Sequence, residues 1–397
     1  MNNKFYHVWY FLFGYVYYLI IPLMVISSRN WEDAPGINIL YDYYKDKYVG
    51  EYILIVAGLL LFFLIGAYLP VANFKRNKIK TSSTYIPIKR IFFIAFPVFL
   101  FSQYTVYANR GHLFQGYTLD FEDLFVGTIC TANMLFLFLY LYNKSGINDQ
   151  KYNTYLKYIL IELVIVILSF GTRMYAMISF FALLTYFHEK SKISNRKLLI
   201  VFSIVVLFIL IVGIWRGNGD IDFDTMVYIA FGEPIFTWIS AISMFDMNAE
   251  FPWFSFPYEI LSSVVNYIPT VLLPNKGDFI VQSALKYAAP QGAKSILLTL
   301  VSNFGMIGSF FAIFYVGYIF SYIRLYWKTI FGRTYYYCAC GIIPFQFFRD
   351  SCLEVGKAFC YNFLILPLIL IVAQRIFLVY SKDKHHTRKV QSQIKKF

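Results

Sequence analysis

Charge is scarce in this chain. Only 14% of its 397 residues are Asp, Glu, Lys or Arg, whereas soluble domains carry about 25%, and the deficit excludes a conventional water-soluble domain. Acids are scarcer still, 22 against 35 bases, for a net charge of +13. Histidine occurs five times, at positions 7, 112, 188, 385 and 386, which leaves little material for imidazole chemistry. Cysteine also occurs five times, an odd number with every member in or beside an apolar run, so no disulfide framework is implied. Cys338 and Cys340 lack the nearby histidines that would complete a zinc site. No internal repeat, low-complexity linker or small-residue cleavage site is present, so the first apolar run is expected to stay as an anchor. Outside the tail no block of bases is interleaved with polar residues, so the positive charge does not point to nucleic acid.

What the chain has is apolar surface: 59% hydrophobic residues, 21% aromatic and a mean hydropathy of +0.56. This composition predicts an all-α polytopic membrane protein. Runs that approach a ~30 Å hydrocarbon core fall at residues 8–26, 52–72, 91–107, 124–142, 157–170, 174–187, 198–215, 296–320, 335–348 and 353–379. Ten crossings put both termini on one side, and the links on that side then carry 24 of the 35 bases but only 3 of the 22 acids. The asymmetry makes that side the cytoplasm, and an odd number of crossings would spoil it. The predicted organisation is seven spans within 1–215, one long outer loop at 216–295, three spans within 296–379 and a basic cytoplasmic tail at 380–397.

Chemistry is expected in the outer loop and the outer links beside it. Gly171-Thr172-Arg173 separates two runs of roughly 14 residues, which at ~1.5 Å per residue reach only about 21 Å, so Arg173 is expected at a recessed tip unless it merely snorkels to the interface. Arg349 ends another short run, with Asp350 and Glu354 as alternative partners for it. Arg216 opens the long loop, and Lys276 and Lys294 within it are further candidates for binding the substrate's diphosphate. Guanidinium groups match phosphate oxygens two at a time, so Arg173, Arg216 and Arg349 at headgroup height suit a phosphorylated lipid. Asp220, Asp222 and Asp224 follow a Gly217-Asn218-Gly219 turn, but Thr225 and Phe231 stand where a calcium loop needs glycine and glutamate. Asp224 reads instead as the cap of a helix starting at Thr225. From there to Phe245, broken at Gly232-Glu233-Pro234, and again from Pro257 to Leu273, the spacing predicts amphipathic helices on the membrane surface. Glu233, among apolar neighbours, is a candidate base, as are Asp220, Asp222 and Glu354; a purely structural acid is the alternative.

Several short motifs carry a resemblance. Gly171-Thr172-Arg173 between short spans, Arg216-Gly217 at the mouth of the loop, and Ile268-Pro269 with Leu273-Pro274-Asn275-Lys276 inside it are three of them. Ser302-Asn303-Phe304-Gly305-Met306-Ile307-Gly308, opening the next span, is the fourth. Over residues 155 to 375 the chain resembles the Wzy-type O-antigen and capsule polymerases. The resemblance implies a GT-C-like polymerase and ligase architecture in the bacterial inner membrane. It also implies undecaprenyl-diphosphate-linked oligosaccharide as donor and acceptor, no metal or other cofactor, a chain-length regulator as a further partner, and diphosphate-binding roles for Arg173, Arg216 and Arg349. The related ligases use a histidine in the large loop, and residues 216–295 contain none. A flippase for the same lipid, or an acyltransferase decorating it, are the alternatives; the first should place charge mid-span, where only Glu162 lies, and the second should have an outward histidine near its acyl donor.

Overall fold

A computed structural model describes residues 5–28, 43–72, 88–114, 126–146, 149–170, 173–190, 223–268, 273–281 and 285–349, with isolated positions between and after them. Among these residues every regular element is helical. Helix α1 (Tyr6–Tyr15) passes through a π-helical turn (Val16–Ile20) into α2 (Ile21–Ser28). Then come α3 (Val49–Ala72), α4 (Ile88–Ala108), α5 (Val126–Gly146), α6 (Gln150–Ser169) and α7 (Arg173–Glu189). The long loop contains α8 (Phe223–Met247) and the single turn α9 (Tyr258–Ser262) and leads to α10 (Ile296–Tyr326), α11 (Ile330–Cys340) and the short α12 (Gln346–Arg349). Among the described residues five segments are long and apolar enough to cross a membrane: Tyr6–Val25, Val49–Ala72, Ile91–Ala108, Gln150–Ser169 and Ile296–Tyr326. The protein is an α-helical, membrane-embedded one. The apolar runs at 198–215 and 353–379 fall largely outside the described residues.

Two expectations are corrected. The run at 157–170 is not a short span, because α6 starts at Gln150, where Asp149 caps it by accepting the Tyr152 N–H at 3.5 Å. Its 20 residues rise about 30 Å; the polar side chains of its first two turns hid them from the hydropathy pattern. Nor does α8 break at Gly232-Glu233-Pro234 or lie on the surface. It runs 25 residues through Pro234, and everything from 234 to 245 is buried. A proline cannot donate to the carbonyl four residues back, and the Tyr17 hydroxyl takes that role, donating to Ala230 O at 2.5 Å. Apolar on every side, such a helix belongs in a core. By contrast α9 and the 3-10 turn after it (Ser263–Tyr267) do leave an apolar face open, with Tyr258, Leu261 and Val264 exposed.

The helices pack as two joined groups. In one, α4, α6, α7 and α11 surround α5, whose residues 129–142 are buried almost without a gap. In the other, α1, α3 and α8 pack on α10. Helices α3 and α10 run parallel: Gly58 faces the Phe310 ring, Gly66 lies against the Phe314 carbonyl, and Ser321 Oγ donates to Ala67 O at 2.6 Å. Any side chain at Gly66 or Gly317 would collide with the partner backbone, so these glycines set the closeness of the pair.

The end of the bundle away from the long loop is tied together by a buried polar chain. Ser321 gives its proton to Ala67, so its oxygen accepts from His7 Nε2 at 2.9 Å; His7 Nδ1 is then left to accept from the Tyr336 hydroxyl at 2.8 Å. One neutral imidazole thus joins α1, α3, α10 and α11. Beside it Arg324 pairs with Glu189 across α10 and α7, at 2.9 and 3.0 Å, and Tyr6 meets His188 Nδ1 at 3.0 Å.

Candidate functional site

Helix α8 organises the loop end through its serines. Ser240 and Ser243 hydroxyls donate back to the carbonyls of Thr237 and Ser240, which turns their oxygens outward as acceptors. Ser240 Oγ accepts the Ser295 N–H at 2.9 Å and Ser243 Oγ the Ala288 N–H at 2.8 Å. One turn further on, Asn248 donates to Lys286 O at 2.8 Å and accepts from Lys286 N at 3.1 Å. The returning limb of the loop is thereby fixed along α8, and Ser295 then caps α10.

That limb presents Lys294 to Glu259 of α9, with Nζ 3.3 Å from Oε1 and 5.4 Å from the Tyr287 ring centre. The other carboxylate oxygen, Oε2, accepts from Asn303 Nδ2 at 3.1 Å, while Asn303 Oδ1 accepts the Ile260 N–H at 3.1 Å. Burial pulls the Lys294 pKa down, but the Tyr287 hydroxyl and the Glu259 carboxylate outweigh it and hold the ammonium above the ordinary lysine range.

Two residues beyond Asn303, α10 is interrupted. Gly305 adopts φ 77° and ψ 178°, and the chain at 252–255 enters the gap. Met306 N–H donates to Pro252 O at 2.9 Å, Ile307 N–H to Trp253 O at 2.9 Å, and Ser255 N–H returns a bond to Phe304 O at 2.9 Å. The hydrogen bonds the helix loses at the break are therefore remade by the loop. A Cβ at Gly305 would lie 2.6 Å from Pro252 O and 2.8 Å from the Phe254 backbone, so only glycine fits.

The second charged pair joins two of the residues expected from the sequence. Arg349 Nη2 lies 3.7 Å from Glu233 Oε1, with side chains 32% and 27% exposed. Gly14 allows this meeting: Phe348 and the Pro344 carbonyl press against its bare Cα, which brings α12 onto α1 beside α8. Glu233 is thus not held among apolar neighbours alone, as its sequence context implied, but faces a guanidinium. Ser240 lies seven residues along α8 from Glu233, about 10 Å at ~1.5 Å per residue, and Lys294 directly precedes its partner Ser295. The Arg349–Glu233 and Lys294–Glu259 pairs therefore share one end of the molecule.

No protein-family model, curated protein or solved structure matches the chain. Its function has to be read from the site itself.

Of the other expected residues, Arg173 opens α7, with its side chain outside the description. Lys276 is in neither pair and donates to Ile268 O at 3.3 Å. Arg216, Asp220, Asp222, Asp350 and Glu354 fall outside the described residues. Helix α8 starts at Phe223, which moves Asp224 from the cap into the first turn. Among the described residues no three His, Cys, Asp or Glu side chains are grouped as metal ligands would be. Sequence reasoning missed Glu259. Its one legible signal was an acid standing alone in an apolar helical pattern, which demands a partner; the partners lie 35 and 44 residues away.

Proposed function

We propose that the chain is a glycosyltransferase that polymerises undecaprenyl-diphosphate-linked oligosaccharide repeat units into O-antigen or capsular polysaccharide on the periplasmic face of the bacterial inner membrane. It crosses ten times with both termini cytoplasmic, as the distribution of Lys and Arg supports, and the loop end of the bundle is periplasmic.

The observation that carries the reading is the Arg349–Glu233 pair: a guanidinium and a carboxylate in contact, partly open, at the end where the loop packs. In the transfer, the acceptor's hydroxyl oxygen attacks the anomeric carbon of the donor. The bond from that carbon to the diphosphate oxygen breaks, its electron pair leaves with the diphosphate, and the hydroxyl proton passes to a carboxylate. The leaving group needs its growing negative charge stabilised, which arginines do without further chemistry. An arriving diphosphate competes with Glu233 for Arg349, and the displaced carboxylate becomes free to take the proton. Arg173 and Arg216 complete the diphosphate grip in this reading, as the resemblance implies.

Deleting the gene and resolving the surface polysaccharide on a gel tests the class. A single-unit product supports the polymerase; no capped product would mean a flippase or ligase, and a full ladder with altered decoration an acyltransferase. Glu233→Gln keeps the shape of the pair but removes the proton acceptor, so it should abolish the ladder at normal protein abundance. A normal ladder would exclude Glu233 as the base.

A further inference from the structure

The loop end exposes an apolar surface that neither charged pair uses. Trp253, Phe254, Phe256 and Tyr258 are 70%, 64%, 58% and 61% exposed, and Leu261 and Val264 of the following turns continue them. We infer that this segment is an anchor lying in the membrane interface of the leaflet on the loop side, held at fixed depth by the break in α10.

The depth follows from two independent rulers. From Met306 to Tyr326, α10 rises about 30 Å at ~1.5 Å per residue, which equals a hydrocarbon core of ~30 Å, so the break at Gly305 falls at the edge of that core. The parallel neighbour α3 agrees. Its register on α10, with Ala67 opposite Ser321, sets Gly305 level with the first turn of α3, where exposed Glu51 ends the apolar stretch. Trp253 is bonded to α10 through its own carbonyl at Ile307. Its ring, and those of Phe254 and Phe256, are therefore at the height where aromatic side chains collect in membrane proteins.

The direction they face follows from α10. Phe311, Tyr315, Ile319 and Tyr322 are exposed and recur every three to four residues, forming an apolar stripe on a membrane-spanning helix that suits acyl chains. Gly308 lies one turn before Phe311 on the same side of α10, where it is buried, with the Phe254 ring 3.5 Å from where its Cβ would be. The aromatic segment therefore continues the lipid-facing stripe upward into the headgroup zone, and its occupant is lipid. Interfacial segments bury their apolar face about 5–10 Å into the boundary. Glu259, in α9 among these residues, points the other way, into the contact with Lys294 and Asn303. The anchor thus holds that contact at headgroup height. This inference rests on the membrane embedding and not on the polymerase reading.

The test needs no activity. The full chain and Trp253→Phe are placed in nanodiscs, and the tryptophan fluorescence lost in the variant is assigned to Trp253. Lipids brominated near the carbonyl end of the acyl chain should quench that component severalfold more than lipids brominated near the methyl end, and aqueous acrylamide should quench it weakly. Strong acrylamide quenching without lipid quenching would place the segment in water and overturn the inference. Protection from both quenchers would mean that protein covers it, a second copy or another partner, and would overturn it equally. As a second measurement, Phe254→Ser/Phe256→Ser leaves the backbone bonds to α10 intact; it should remove the extra protease resistance that the loop gains in nanodiscs over detergent. No such gain in the unaltered protein would also count against the anchor.

Discussion

At the end of the bundle away from the long loop, Arg324 and Glu189 meet at 2.9 Å with side chains 8% and 14% exposed, and His7 is enclosed completely. At the loop end, Arg349 and Glu233 stand 3.7 Å apart and keep about a third of their surface open. The residue types are the same, but the first pair is closed by its neighbours and holds helices together. The second is loose enough to exchange partners, which the proposed role in holding a diphosphate requires. Burial and geometry, more than charge, separate a brace from a site.

Removing one charge at each end breaks or sharpens this contrast. Arg324→Ala has the largest expected effect: it leaves the mostly enclosed Glu189 without its guanidinium, at a cost approaching the ~3–5 kcal/mol of a broken buried pair. A lower melting temperature in detergent and less protein in the membrane should follow. Arg349→Ala should change stability by no more than about 1 kcal/mol, as half-open pairs do. Its polymer output should nonetheless fall roughly 10- to 150-fold, the loss of one charge-assisted contact of ~1.5–3 kcal/mol made in the transition state. Single-unit product should persist, and Arg349→Lys should restore output only in part. If Arg349→Ala unfolded the protein as Arg324→Ala does, the two ends would not differ.

Gly305→Ala comes next, at about 1–3 kcal/mol for a non-glycine residue at positive φ, added to the collision with Pro252. The damage should concentrate in the loop, seen as faster proteolysis between α8 and α10 while the spans stay inserted. The smallest effect is on pH. Lys294 has its folded pKa raised above the unfolded value of ~10.4, so the charge stabilises loop docking fully below that value and the contribution is lost as pH rises through the folded pKa. Protease resistance of the loop should be flat from about pH 6 to 9 as far as Lys294 is concerned, and should weaken only under more alkaline conditions.

The long apolar helices were legible because hydropathy alone specifies them: the run at 52–72 is α3, 91–107 lies within α4, and 296–320 within α10. The reading failed where polar residues occupy helical turns, as from Lys151 to Lys157 in α6, and where an apolar helix could be either a surface element or a core one. For α8 the deciding fact was an interaction from afar, the Tyr17 hydroxyl serving the carbonyl freed by Pro234. In the site, Arg349 was readable as a candidate from its position at the end of an apolar run, and Glu233 from its apolar neighbours. Their meeting was not, because it depends on Gly14 admitting Phe348, a packing detail that no spacing reveals. The Asn303–Glu259 contact was invisible for the same reason, although Asn303 and Gly305 both stood within the motif that carried the family resemblance.

The insertion at Gly305 also has a bearing on how the protein is made. The carbonyls that complete α10 belong to Pro252 and Trp253, which leave the ribosome roughly fifty residues before Gly305 does. At ~5–20 residues per second the earlier segment waits about 3–10 s for its partner. During that interval its aromatic side chains have somewhere to rest on the bilayer surface, while its backbone groups remain hydrated. Final assembly of the loop is therefore coupled to the arrival of a later span in the membrane, and a chain stalled before residue 305 would carry its outer segment parked on lipid.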